Sequence, residues 1–140
     1  MKNVESVIRE NGGWERLARE NISVENGRGQ VLEILTPREG GEPDAVLVSQ
    51  YEAGSGGIIR APEIFFEVTP GGLWIPVCLR DDFTGEMLNV FRLHKHLTVI
   101  CCETSRELFR RAAEWDRKIR EMGFVDPDPD SEYYPLFANA

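Results

Sequence analysis

The only histidines in the chain, His94 and His96, stand two residues apart with Lys95 between them. On a strand, side chains at i and i+2 project from one face, which is the spacing a two-histidine metal site requires. A third ligand does not follow from the spacing, because Cys101, Cys102 and Glu103 would approach only if a turn folded them back. The plainer expectation is a pair of exposed histidines flanking a lysine at a strand end. Asp81, Asp82 and the nearby Glu86 are the closest approach to paired carboxylates for acid/base work or a divalent ion. Their setting, Asp81-Asp82-Phe83-Thr84-Gly85, is that of a turn between strands, where aspartate accepts hydrogen bonds from the backbone just after it.

Gly54-Ser55-Gly56-Gly57 has the glycines of an anion cradle but no Gly-Lys-Ser/Thr after it, and the chain then heads toward a strand instead of opening a helix. It reads as a connection. Cys78, Cys101 and Cys102 are odd in number, two are adjacent, and none has Cys-x-x-Cys spacing, so neither a disulfide framework nor a zinc site is expected. Cys78 and Cys101 lie in apolar runs and read as small buried hydrophobes. No serine or cysteine occupies a nucleophile elbow. These patterns imply no catalytic residue, metal or cofactor. The enzymatic alternative they leave open is a small metal-dependent hydrolase using His94, His96, Asp81 and Asp82.

The chain has 140 residues and a net charge of −8, with 16 basic against 24 acidic side chains. That balance argues against broad contact with phosphate backbones, which needs clustered Lys and Arg. Direct nucleic-acid binding is therefore not expected. An acidic surface can instead imitate nucleic acid in the basic channel of a nucleic-acid-handling complex. A second partner-binding candidate is the C-terminal Tyr133-Tyr134-Pro135-Leu136-Phe137, an aromatic cluster on an acidic, proline-bearing leash. Partner-binding candidates by residue are thus Asp81, Asp82, Glu86, Tyr133, Tyr134 and Phe137. Charges interrupt every apolar run near Met1, so neither a signal peptide nor a membrane span is expected and the chain should reside in the cytoplasm.

The elements that must position these residues follow from periodicity. Val4, Val7 and Ile8 recur at helical spacing behind Asn3, a good N-cap residue, and Asn11-Gly12-Gly13 ends the run. Trp14, Leu17 and Ala18 suggest a second short helix over residues 14–21, with Trp14 as its anchor in the core. Ile22–Val24 and Val31–Leu35 flank Asn26-Gly27-Arg28-Gly29 and form a hairpin pattern. Strands are expected over Ala45–Tyr51, Ile64–Thr69 and Leu73–Leu79, the last carrying Pro76 at an edge or bulge. Glu86 to Leu93 alternates as one further strand, and Leu97 to Cys101 as another. Thr104-Ser105-Arg106-Glu107 has capping-box spacing and opens a long helix whose stripe is Leu108, Ala112, Trp115, Ile119 and Met122, closed by Gly123. The expected fold is one α+β domain over residues 1–123: an antiparallel, meander-like sheet of five or six strands, with two short N-terminal helices and the long C-terminal helix packed on one face. Residues 124–140 form an acidic, proline-containing tail.

The run Leu47-Val48-Ser49-Gln50-Tyr51, the glycine turn, Ala61 to Val68, Trp74-Ile75-Pro76 and Asp82-Phe83-Thr84-Gly85, together with Gly12-Gly13-Trp14, resembles an uncharacterised family of small proteins from bacterial plasmids, conjugative elements and phages. That family's pattern reads Asn-Gly-Asp after the tyrosine and Asp-Pro-Glu later, where this chain has Gly56-Gly57 and Ala61-Pro62-Glu63. Without those acids the resemblance implies a fold and a genomic setting more than an activity. Taken together, the expectation is a small acidic, non-enzymatic binding protein of a mobile genetic element with a protein partner, most concretely an inhibitor of a host defence or nucleic-acid-handling complex. A homo-oligomeric structural module is the other non-enzymatic reading.

Overall fold

A computed structural model describes residues 1–36, 44–52 and 60–126. Two short helices come first, α1 (Lys2–Glu10) and α2 (Gly13–Leu17). Six strands follow: β1 (Ile22–Glu25), β2 (Gln30–Leu35), β3 (Ala45–Glu52), β4 (Arg60–Val68), β5 (Trp74–Asp81) and β6 (Glu86–Asn89). They form an antiparallel sheet in simple sequence order, as strands close together in sequence tend to do. Two more strands, β7 (Phe91–His94) and β8 (Leu97–Ile100), make a separate two-stranded hairpin, and α3 (Cys102–Glu121) closes the fold. The fold is thus α+β, with a six-stranded antiparallel sheet, short N-terminal helices and a long C-terminal one.

Alternation sets the core. Ile34, Val48, Ile64 and Leu79 are consecutive cross-strand partners and all are buried, as are Val46 and Phe66 in the neighbouring row. From α3, Leu108, Ala112, Trp115 and Ile119 are buried, which is the expected stripe except for Met122, half-buried just past the end of the helix. Helix and sheet are tied by a hydrogen bond from Trp115 Nε1 to Gln50 Oε1 at 2.9 Å. After α3, Gly123 adopts φ +88°, and Phe124 N donates to the Ile119 carbonyl at 3.2 Å. Phe124 and Val125 then turn into the core, so the packed chain runs to Val125.

Several boundaries differ from the sequence expectation. Helix α1 begins at Lys2 with Met1 at the cap position, and Asn3 lies inside the first turn. The missing cap comes from α3: the Asp116 carboxylate accepts the Asn3 N–H at 3.2 Å and the Val4 N–H at 3.1 Å. Helix α2 is only five residues long. Trp14 is not a core anchor; it is 37% exposed and leans on Trp74. The Thr104–Glu107 segment is not a capping box, because α3 starts at Cys102 and Glu107 is paired with Arg110 instead.

The largest difference is at Glu86–Leu93, which reads as one alternating strand but folds as two. Asn89 Oδ1 accepts the Phe91 N–H at 2.9 Å, and the chain bends there out of the main sheet. The buried Val90 is the pivot, donating to the Val77 carbonyl at 3.0 Å and accepting from Cys101 N at 2.8 Å. Pro76 lies on the part of β5 that β6 does not reach, beside a register shift opposite Phe65 and Phe66, where its missing N–H is tolerated.

Candidate functional site

Three places in the fold gather side chains that can recognise something. The first is the β5–β6 turn. Asp82 accepts the Arg60 N–H through Oδ2 at 3.0 Å and Arg80 Nε through Oδ1 at 2.8 Å. Those two donors, the backbone one foremost, hold its carboxyl below the ordinary carboxylate range. Asp81 Oδ1 accepts the N–H groups of Phe83 and Thr84, the turn geometry that aspartate favours. Glu86, the cross-strand partner of Asp81, meets Arg111 of α3 at 2.6 Å. All three acids are thus engaged in holding a turn and a helix in place.

The polar side of the sheet continues from this turn. Glu33, Ser49, Glu63 and Arg80 are consecutive cross-strand partners. Arg60 lies between the two glutamates, 3.6 Å from Glu33 and 3.7 Å from Glu63, with its guanidinium over the Tyr51 ring at 5.5 Å. Ser49 is fully buried, and its Oγ finds no hydrogen-bond partner among the described residues. Cys78 is half-buried nearby, and burial followed by the Glu63 charge pushes its thiol up. Sequence spacing did not expose this row, because its members come from separate strands and only the register aligns them.

The second place is the β7–β8 hairpin. His94 closes β7, and Lys95 and His96 form the turn with φ +49° and +67°. Both histidines are exposed beside Lys95. They stand on a different hairpin from Asp81 and Asp82, and among the described residues no three His, Cys, Asp or Glu side chains converge as metal ligands. All eight strand residues of the hairpin are exposed. Phe91 pairs with Ile100 and Leu93 with Thr98, so Phe91, Leu93 and Ile100 share one face. Arg92, Val99, His94 and Leu97 share the other. Leu93 is 81% exposed and Ile100 63%, and no acidic residue occurs between Phe91 and Ile100. Behind the hairpin, Cys101 is half-buried, Cys102 is exposed, and Thr104 donates to Cys101 Sγ, which lowers that thiol's pKa.

The third is a cleft of about 700 Å³ between the N-terminal helices and the β4–β5 turn. Glu5 and Arg9 reach it from α1, Gly13 and Trp14 from α2, Asp44 from just before β3, Val68 from β4 and Trp74 from β5. Trp74 stands edge-on to Phe66 at 5.3 Å, tilts against Trp14 at 5.8 Å, and donates from Nε1 to Glu5 Oε1 at 2.8 Å. Sequence spacing does not bring Trp14 and Trp74 together, because the cleft exists only once α1 and α2 are placed against the β4–β5 turn.

Tyr133, Tyr134, Phe137 and the Gly54–Gly57 segment lie outside the described residues. No described helix is long and apolar enough to cross a membrane. No curated protein and no solved structure matches the chain. A family profile does match over residues 2–125, nearly the whole described fold, and by it the chain belongs to the family called domain of unknown function DUF6908.

Proposed function

We propose that this chain is a non-enzymatic binding domain that docks a protein partner through the β7–β8 hairpin. The observation that carries the reading is the exposure of all eight hairpin strand residues, with Phe91, Leu93 and Ile100 on one face. A two-stranded hairpin alone in water is at best marginally stable. A hairpin held clear of the main sheet with apolar side chains outward is a surface that gains stability when a partner covers it.

The wider reading is that of a small acidic protein of a mobile genetic element, acting in the cytoplasm as an inhibitor of a host defence or nucleic-acid-handling complex. The hairpin carries Arg92 and Lys95 and no acid, so contact there rests on apolar insertion. The net charge of −8 then serves steering and solubility. In the same reading all three helices lie on one face of the six-stranded sheet. The Trp115–Gln50 tie supports this for α3, as does Leu79 lining a pocket with Arg111 and Trp115.

The test is affinity capture from bacterial lysate with the tagged chain and with Leu93→Ser/Ile100→Ser. Both positions are exposed, and substitutions at such positions typically change stability by less than about 0.5 kcal/mol. A stoichiometric partner recovered across several salt concentrations with the parent and lost with the variant supports the reading. Equal recovery contradicts it. The outer edges of β7 and β8 have no strand beside them among the described residues, so a second copy of the chain is the other occupant to consider. Light scattering separates the two, because a dimer in solution that the double variant converts to a monomer assigns the hairpin to self-association.

A further inference from the structure

The cleft between α1, α2 and the β4–β5 turn is independent of the hairpin, and its chemistry is specific enough to name an occupant. Its walls are fixed. Asp44 is held by the Val68 N–H donating to its carbonyl at 2.8 Å, and the turn opposite is closed by Thr69 N to the Leu73 carbonyl at 2.9 Å and Gly72 N to the Thr69 carbonyl at 2.9 Å. Trp74 is locked between Phe66, Trp14 and the Glu5 carboxylate. The space is of the size that small ligands and peptide side chains fill, about 300–1,000 Å³.

Charge decides what enters. Among the described residues, Glu5 and Asp44 are two carboxylates at the cleft against one guanidinium, Arg9, which is turned back on its own helix to donate to Ser6 Oγ at 3.1 Å. Glu5 uses Oε1 for Trp74, which fixes the carboxylate and leaves Oε2 for an incoming donor. Trp14 is 37% exposed and offers an indole face at the wall. A flat cation stacks on such a face and bonds to carboxylates at its edge, and guanidinium suits both contacts better than ammonium. Val68 and Pro70 supply apolar surface for an aliphatic stem. The geometry points to a site for an arginine side chain presented by a protein partner; the volume is several times that of one such side chain, so flanking residues enter with it.

Indole N–H resonances of the full chain provide the test. Trp14 and Trp74 report on the cleft, and Trp115, bonded to Gln50, is the internal control. Titration with N-acetyl-arginine amide should shift the Trp14 and Trp74 signals saturably in the millimolar range while the Trp115 signal stays put, and a capped Gly-Arg-Gly peptide should bind more tightly. The neutral citrulline analogue should bind at least about tenfold more weakly, the order expected when a charge-assisted hydrogen bond is lost. Trp14→Ala should abolish the shift at Trp74. Asp44→Asn, at an exposed position that leaves the core untouched, should weaken binding by a similar factor. Equal binding of the arginine and citrulline compounds, no saturable shift up to about 50 mM, or unaltered binding by Trp14→Ala would each overturn the proposal. A tripeptide no tighter than the single residue would overturn the peptide occupant.

Discussion

Replacing Asp116 with alanine removes the cap of a helix at the other end of the chain. Met1, at the N-cap of α1, provides no side-chain acceptor, and the first-turn N–H groups of Asn3 and Val4 point instead at the two oxygens of the Asp116 carboxylate, 3.2 and 3.1 Å away. A side-chain cap contributes about 1 kcal/mol, hydrogen bonds to a charged acceptor about 1.5–3 kcal/mol, and a negative charge at a helix N-terminus about 0.3–1 kcal/mol. These overlap, and Asp116 is only half-buried, so the expected loss for Asp116→Ala is about 2 kcal/mol. The Asn3 Nδ2 bond to the Asp116 carbonyl, at 2.8 Å, is to backbone and survives. Asp116→Asn keeps one acceptor and turns an NH₂ toward the other donor, so it should lose about half as much. Urea denaturation measures this: with a slope of about 2 kcal/mol per molar, the midpoint should fall by about 1 M for alanine. A loss below about 0.5 kcal/mol for alanine, or an asparagine variant as damaging as alanine, would refute the shared-cap argument.

Other consequences can be measured in the same preparation. Lys95 and His96 occupy left-handed backbone that costs about 1–2 kcal/mol per ordinary residue, so Lys95→Asn/His96→Gly should slow local opening of the hairpin in amide exchange by about tenfold or more; unchanged exchange would contradict that turn. Ser49→Ala removes a buried hydroxyl that has no partner among the described residues and should raise stability by up to about 1 kcal/mol, whereas a loss of that size would reveal a hydrogen bond to it. Asp82 has a depressed folded-state pKa, so its contribution is complete above the unfolded value near 3.8 and is lost as pH falls through the lower folded value. Asp82→Asn should therefore be less stable than the parent at pH 7, with the gap closing at the acid end; a gap that stays constant down to pH 2 would contradict this.

The main elements follow from the sequence because their causes are local. The stripe Leu108, Ala112, Trp115 and Ile119 lies on one side of a helix wherever that helix is placed, and the strand order follows from closeness in sequence. What the sequence hides depends on distant partners. Asn3 looks like a cap because its side chain is suited to one, yet an acceptor on α3 does that work. Alternation through Met87, Asn89, Phe91 and Leu93 is the same for one straight strand or two bent ones; the asparagine at position 89, a type that bonds to the backbone N–H two residues on, is the signal for a bend, and its bond to the Phe91 N–H is seen only in the fold. The apolar pattern of Phe91–Ile100 predicts strands but not that both faces stay exposed, which follows from the bend. The cleft joins residues from four elements, so periodicity alone could not assemble it.

Amide hydrogen exchange on the full chain, free and with its captured partner, tests the docking reading most directly. In the free chain the amides of residues 91–100 should exchange faster than those of the six-stranded sheet, since the hairpin buries little apolar surface of its own. In the complex those same amides should show the largest slowing. A complex that protects other surfaces and leaves the hairpin exchanging as before would contradict the account.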